Sequence, residues 1–123
     1  MTGNKLFLDT NILLYLLKGD ETLIHSLDQK QFYISFITQL ELLSFKQLST
    51  KEEKLINELI SECVVIDLNN EIKQLTIEYR KRYKLKLPDC LVAATAQYLD
   101  LPLITADADF KKVEELNLIY YDR

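Results

Sequence analysis

The chain has 123 residues, 48% of them hydrophobic and 28% charged, and a formal net charge of −4. That length suits one domain over residues 1–123 with a real core, and the composition excludes a disordered chain. Two glycines and two prolines leave no material for a glycine-rich phosphate cradle, and the acidic balance excludes a grip on nucleic acid by bulk positive charge.

At the amino terminus only Leu6-Phe7-Leu8 follows before Asp9 stops the apolar run, so no signal peptide is read there. No apolar stretch reaches membrane-spanning length, and a cytoplasmic protein with no membrane partner is expected. Residues 5–8 read as a strand and 11–18 as a helix, broken by Gly19-Asp20; 21–27 form a second short helix. Residues 32–35 are rich in β-formers, and a helix follows over 37–48. Thr50 with Glu53 makes a capping-box pattern that opens a helix to about residue 62. A third strand at 64–66 and a helix over 70–83 come next. Pro88 suits the first turn of a helix running to about residue 100. The chain closes with a strand at 103–104, a short helix over 110–116 and a last strand at 118–121.

Strands alternating with helices predict right-handed crossovers and a mainly parallel sheet covered on both faces, a three-layer α/β/α sandwich. In such sheets ligands gather beyond the carboxyl ends of the strands. Asp9 ends the first strand and Asp107 follows the fourth.

Two further acids fall where a core is expected. Ile37, Glu41, Phe45 and Leu48 are spaced four, four and three apart, which puts Glu41 on an apolar helical stripe. Asp89, Val92, Ala96 and Leu99, spaced three, four and three, repeat the pattern. A buried carboxylate costs several kcal/mol unless a cation, donors or a metal compensate it, and the helix dipole returns only about 0.3–1 kcal/mol to Asp89. Four carboxylates in one pocket repel and are stable only with cations present. All-oxygen ligands suit Mg²⁺ or Mn²⁺ rather than zinc. One or two such ions beside a phosphodiester activate water and neutralise the leaving oxygen, so phosphodiester hydrolysis is the chemistry this set would perform.

Phe7-Leu8-Asp9-Thr10-Asn11, Thr38-Gln39-Leu40-Glu41-Leu42, Leu87-Pro88-Asp89 with Ala93-Ala94-Thr95-Ala96, and Leu103-Ile104-Thr105-Ala106-Asp107-Ala108-Asp109-Phe110 resemble, in order, the four acidic segments of the PIN domain family. The resemblance spans nearly the whole chain. It implies a parallel α/β/α fold and a Mg²⁺- or Mn²⁺-dependent endoribonuclease acting on RNA, with Asp9, Glu41 and Asp89 as metal ligands. The fourth ligand is Asp107 or Asp109. Asp107 is preferred because it falls nearer the strand end, and Asp109 is then a cap for the following helix. Asn11 is implied as an orienting residue, and Thr105 as a support of the site. The size of the chain resembles the VapC-type toxins within that family, which implies a homodimer silenced by a cognate antitoxin.

The block Arg80-Lys81-Arg82-Tyr83-Lys84-Leu85-Lys86 precedes Asp89 and reads either as phosphate-binding charge from Arg80, Arg82, Lys84 and Lys86 or as a solvated helix end. The seven tyrosines offer base-stacking surfaces or core and interface packing. His25 is the only histidine and no nucleophile motif surrounds a serine, which argues against Ser-His-Asp chemistry. Cys63 and Cys90 lack disulfide or zinc spacing and read as packing. Glu52, Glu53, Glu58 and Glu62 read as a solvated helix face. The rival readings are a catalytically silent PIN-like module that binds RNA or protein, and a receiver-type phosphotransfer domain, which would need a lysine after a late strand.

Overall fold

The computed structural model describes residues 4–122; the amino-terminal reading over residues 1–3 and the final Arg123 lie outside it. Five strands, β1 (Lys5–Leu8), β2 (Gln31–Ser35), β3 (Cys63–Ile66), β4 (Leu103–Thr105) and β5 (Leu118–Tyr120), form one sheet in the order β3-β2-β1-β4-β5. Every pairing is parallel, which sharpens the expected mainly parallel sheet. The chain therefore starts in the middle, builds outward through β2 and β3, and returns to build the other half. Between β1 and β4 that order reverses, with Leu8 in register with Ile104. A crevice opens beyond the carboxyl ends of strands at such a reversal.

Alternation along β1 sends Phe7 to one face and Leu6 and Leu8 to the other. Phe7 and Leu103 pack beneath α5 (Asn70–Arg82) and α6 (Leu87–Leu99), where Ala93, Ala94 and Ala96 are fully buried and let the helix lie close. Leu8, Ile34 and Ile104 pack beneath α1 (Thr10–Leu17), α2 (Glu21–Ser26) and α4 (Thr50–Ser61). These two cores make the three layers.

Local signals set most boundaries. α1 ends at Lys18, and Gly19 at φ 83° lets its N–H reach the Leu16 carbonyl while the N–H of Asp20 reaches that of Tyr15, a Schellman ending. The capping box of α4 lies one residue earlier than expected. Ser49, not Thr50, has the extended backbone of an N-cap, and it exchanges hydrogen bonds with Glu52 rather than Glu53. α3 (Phe36–Leu43) is shorter than the expected 37–48. It stops at Ser44, so Phe45 and Leu48 leave the helical stripe, and Phe45 is 45% exposed. The expected helix over 110–116 is a 3₁₀ turn at Ala108–Lys112. Asp107 caps it at Asp109 N, and the short run continues with the tighter i→i+3 bonding of a 3₁₀ turn.

One buried polar atom in the α5 layer is uncompensated. The Tyr79 hydroxyl has no hydrogen-bond partner among the described residues, and burial pushes its phenol up to about 12. Tyr79→Phe removes the unsatisfied group without changing the ring, so it is expected to leave stability unchanged or raise it by about 1 kcal/mol in urea unfolding. A loss above 1 kcal/mol would show that the hydroxyl has a partner.

Candidate metal centre

The four acids arrive from four segments. Asp9 follows β1 directly and caps α1, its Oδ1 accepting from Ile12 N at 3.0 Å. Glu41 lies on α3, which starts without a loop because Ser35, the last residue of β2, is also its N-cap. Asp89 sits in the first turn of α6, behind Pro88. A helix returning between parallel strands runs against them, and this brings its amino end to the carboxyl edge of the sheet. Asp107 comes two residues after β4.

The structure brings these four together. Asp9, Glu41, Asp89 and Asp107 line one cleft of about 280 Å³, with Thr10, Asn11, Leu14, Phe45, Pro88, Val92 and Phe110. Their charges are felt mutually. Burial, then Asp107 and Asp89, push the Asp9 carboxyl up to about 6, against the hydrogen bonds from Thr105 and Ile12. Burial, then Asp107 and Glu41, also raise Asp89, and Lys86 opposes them. Among the described residues, no lysine or arginine lines the cleft, and neither of the two ion pairs there involves the four acids.

Hydroxyls hold two of the acids. Thr105 donates to Asp9 Oδ2 and accepts from Asp107 N at 3.0 Å, so it links the first and fourth segments. Thr10 Oγ1 lies 2.7 Å from Glu41 Oε1 and 3.2 Å from Thr38 Oγ1. Among the described residues, no three acidic, histidine or cysteine side chains converge closely enough to coordinate an ion as they stand. Uncompensated carboxylates repel, and here the hydroxyls keep two of them occupied. The donor set fits a hard divalent cation: four carboxylates on one cleft, with no sulfur or imidazole among the described residues that line it.

Of the expected supporting residues, Thr105 is buried against Asp9, and Asn11 is exposed on the rim of the cleft. Asp109 is not among the lining residues; it is exposed and 3.5 Å from Lys112. It does not cap the 3₁₀ turn, as Asp107 does so. The basic block divides. Arg80 donates to the Leu85 carbonyl at 3.1 Å, and Arg82 pairs with Glu115 at 2.6 Å while lying over the rings of Tyr79 and Tyr83. Lys84 is exposed, with its carbonyl accepting from Lys112, and Lys86, the N-cap of α6, is the cation whose charge reaches Asp89. Sequence reasoning missed Thr38, which stands three residues before Glu41 and so shares its helix face. It also placed Phe45 in the core rather than on the wall of the cleft. Cys90 is buried and Cys63 half-buried, both free, as their packing role requires.

Parallel α/β/α topology with four acids at one carboxyl-edge crevice defines a class, and the comparisons agree with it. The PIN domain family profile matches residues 6–116, and the chain belongs to the PIN domain family. Within that family its similarity runs to VapC-type toxins. It is 30% identical over 142 aligned positions to Ribonuclease VapC2 of Methanocaldococcus jannaschii, covering 97% of this chain and 95% of that protein. A toxin–antitoxin complex from Klebsiella pneumoniae contains a chain 31% identical, with a TM-score of 0.79 over 92% of this chain and 94% of that one. VapBC2 from Rickettsia felis, bound to a DNA fragment of its promoter, is alike in fold, with a TM-score of 0.82 at 22% identity over 96% and 99% of the two chains.

Proposed function

We propose that this chain is an endoribonuclease dependent on Mg²⁺ or Mn²⁺, and the toxin of a VapBC-type pair held silent by a cognate antitoxin. One observation carries the reading: four carboxylates from four separate segments line one cleft to which no described lysine or arginine contributes. The ribonuclease and toxin–antitoxin similarities support it. A cytoplasmic homodimer formed by one domain over residues 1–123 belongs to the same proposal; among the described residues no helix is long and apolar enough to cross a membrane. The silent-module rival gains nothing from a cleft that keeps all four acids.

Asp9, Glu41, Asp89 and Asp107 would hold the cation, which when bound supplies Lewis-acid activation of water and neutralises charge on the phosphodiester. The chain's own groups do the rest. Thr105 fixes the Asp9 carboxylate and, through Asp107 N, the loop that carries the fourth acid. Burial of Asp9 keeps bulk water from screening it. Lys86 stands beside Asp89 as the cation placed to meet an approaching phosphate. Hydrolysis adds one water across a P–O bond: its oxygen joins phosphorus, and a proton ends on the departing ribose oxygen.

The test is cleavage of structured RNAs by protein freed of any co-purifying partner, with Mg²⁺ or Mn²⁺ and then with EDTA. Cleavage is expected with metal and not with chelator. Asp89→Asn is expected to lose at least about a hundredfold, as one ligand of a charge-neutralising centre goes. Asp109→Asn, outside the cleft, is expected to stay within about twofold. Cleavage that survives EDTA, or equal effects of the two variants, would sink the proposal.

A further inference from the structure

Threonines inside helices commonly bond back to the carbonyl one turn earlier, as Thr76 and Thr95 do. Thr76 Oγ1 lies 2.7 Å from the Ile72 carbonyl, and Thr95 Oγ1 lies 2.6 Å from that of Leu91. Thr38 lies in the first turn of α3, where the residue one turn earlier belongs to β2, and its hydroxyl turns to another element instead. Its side chain is fully buried, and its hydroxyl meets Thr10 Oγ1 of α1 across 28 residues of sequence. Thr10 has one hydroxyl proton and two oxygen neighbours, Glu41 Oε1 at 2.7 Å and Thr38 Oγ1 at 3.2 Å. A carboxylate offers only lone pairs, so the Thr10 proton goes to Glu41 and the Thr38 hydroxyl donates to Thr10.

We propose that Thr38 and Thr10 form a directed hydroxyl relay that positions Glu41 for a divalent cation; this rests on the metal-dependent reading of the cleft. The relay occupies Oε1 and leaves Oε2 without a protein donor among the described residues. Glu41 needs such a tether. It is half-buried, and its charge repels that of Asp89, so an untethered side chain swings toward solvent. Thr38 touches neither ion nor substrate. It acts by fixing which way the Thr10 proton points.

The experiment is a calorimetric titration with Mn²⁺ at pH 7.5, beside melting of the same proteins in EDTA. Thr10→Val is expected to weaken Mn²⁺ binding about 10- to 100-fold, as for loss of a group that orients a ligand. Thr38→Val, one neutral hydrogen bond further away, is expected to weaken it about 3- to 10-fold, with Thr38→Ser restoring it. In a Glu41→Gln background, neither valine variant is expected to add a further loss. The relay is overturned by wild-type affinity in a folded Thr38→Val, by failure of serine to restore affinity, or by an equal loss in the Gln background. If Thr38→Val does not fold, the half-buried Thr10→Val and Thr10→Ser decide in the same cycle. Wild-type protein that binds no Mn²⁺ overturns both the relay and the nuclease reading. Wild-type protein that binds Mn²⁺ and cleaves RNA, beside an unaffected Thr38→Val, overturns the relay alone.

Discussion

Asp9→Asn is expected to abolish RNA cleavage and, without metal, to melt at a higher temperature than the wild type at pH 7.5. The two effects share one cause. Asp9 is only 5% exposed, and its carboxyl is raised to about 6, first by burial and then by Asp107 and Asp89. At pH 7.5 it must ionise inside the protein, at a penalty of up to about 3 kcal/mol for roughly two pKa units. Asparagine keeps an oxygen for Ile12 N, so the cap of α1 survives without the charge. A gain of about 1–3 kcal/mol, or about 3–10 °C in an EDTA melt, is expected for a domain of this size. Loss of an anionic ligand is expected to reduce cleavage at least about a thousandfold, equivalent to about 4 kcal/mol of barrier. A variant that melts below the wild type in EDTA would show that Asp9 is held for stability rather than strained for function.

Metal removal is expected to make stability fall with rising pH, and metal to reverse the trend. Folded Asp9 keeps its proton to about pH 6, whereas an unfolded aspartate releases it near 3.8. Between those values the native state binds more protons, so stability falls as pH rises. The contribution is complete below about pH 3.8 and gone above about pH 6. Asp89 is shifted in the same direction and adds to the slope. A divalent cation binds the ionised acids of the native state and stabilises it by mass action, about 2.7 kcal/mol at a hundred times its dissociation constant. Melting from pH 4.5 to 7.5 in EDTA and in Mn²⁺ reads both effects. Parallel curves with no separation growing toward pH 7.5 would argue against a cation at these acids.

Glu41 shows how a site can be legible for an incomplete reason. Its place on an apolar stripe was readable from Ile37, but the rest of that stripe, Phe45 and Leu48, belongs to the connection after α3. Phe45 forms a wall of the cleft instead. A helix end set by Ser44 and the following turn leaves little periodic trace, because exposed Phe45 and buried Leu42 look alike in sequence. The stripe through Asp89 was more faithful: Val92 and Ala96 are buried on the same α6 face. Its amino end was marked by Pro88.

By itself the sequence determined the alternation of strands and helices, the acids at strand ends and on helical faces, and the resemblance that ordered them into one family. Those features are local, written in spacing and residue type. Tertiary structure alone decided which acid of the last pair enters the cleft. It placed Asp107 there by using it to cap the 3₁₀ turn, and left Asp109 beside Lys112. It also split the basic block, because Glu115 lies 33 residues from Arg82 and only folding brings them together. The four carboxylates, read in sequence as two acids at strand ends and two on apolar helical stripes, meet at one cleft because the strand order reverses between β1 and β4. Parallel pairing then draws Asp9 and Asp107 to the same edge, where α3 and α6 deliver Glu41 and Asp89.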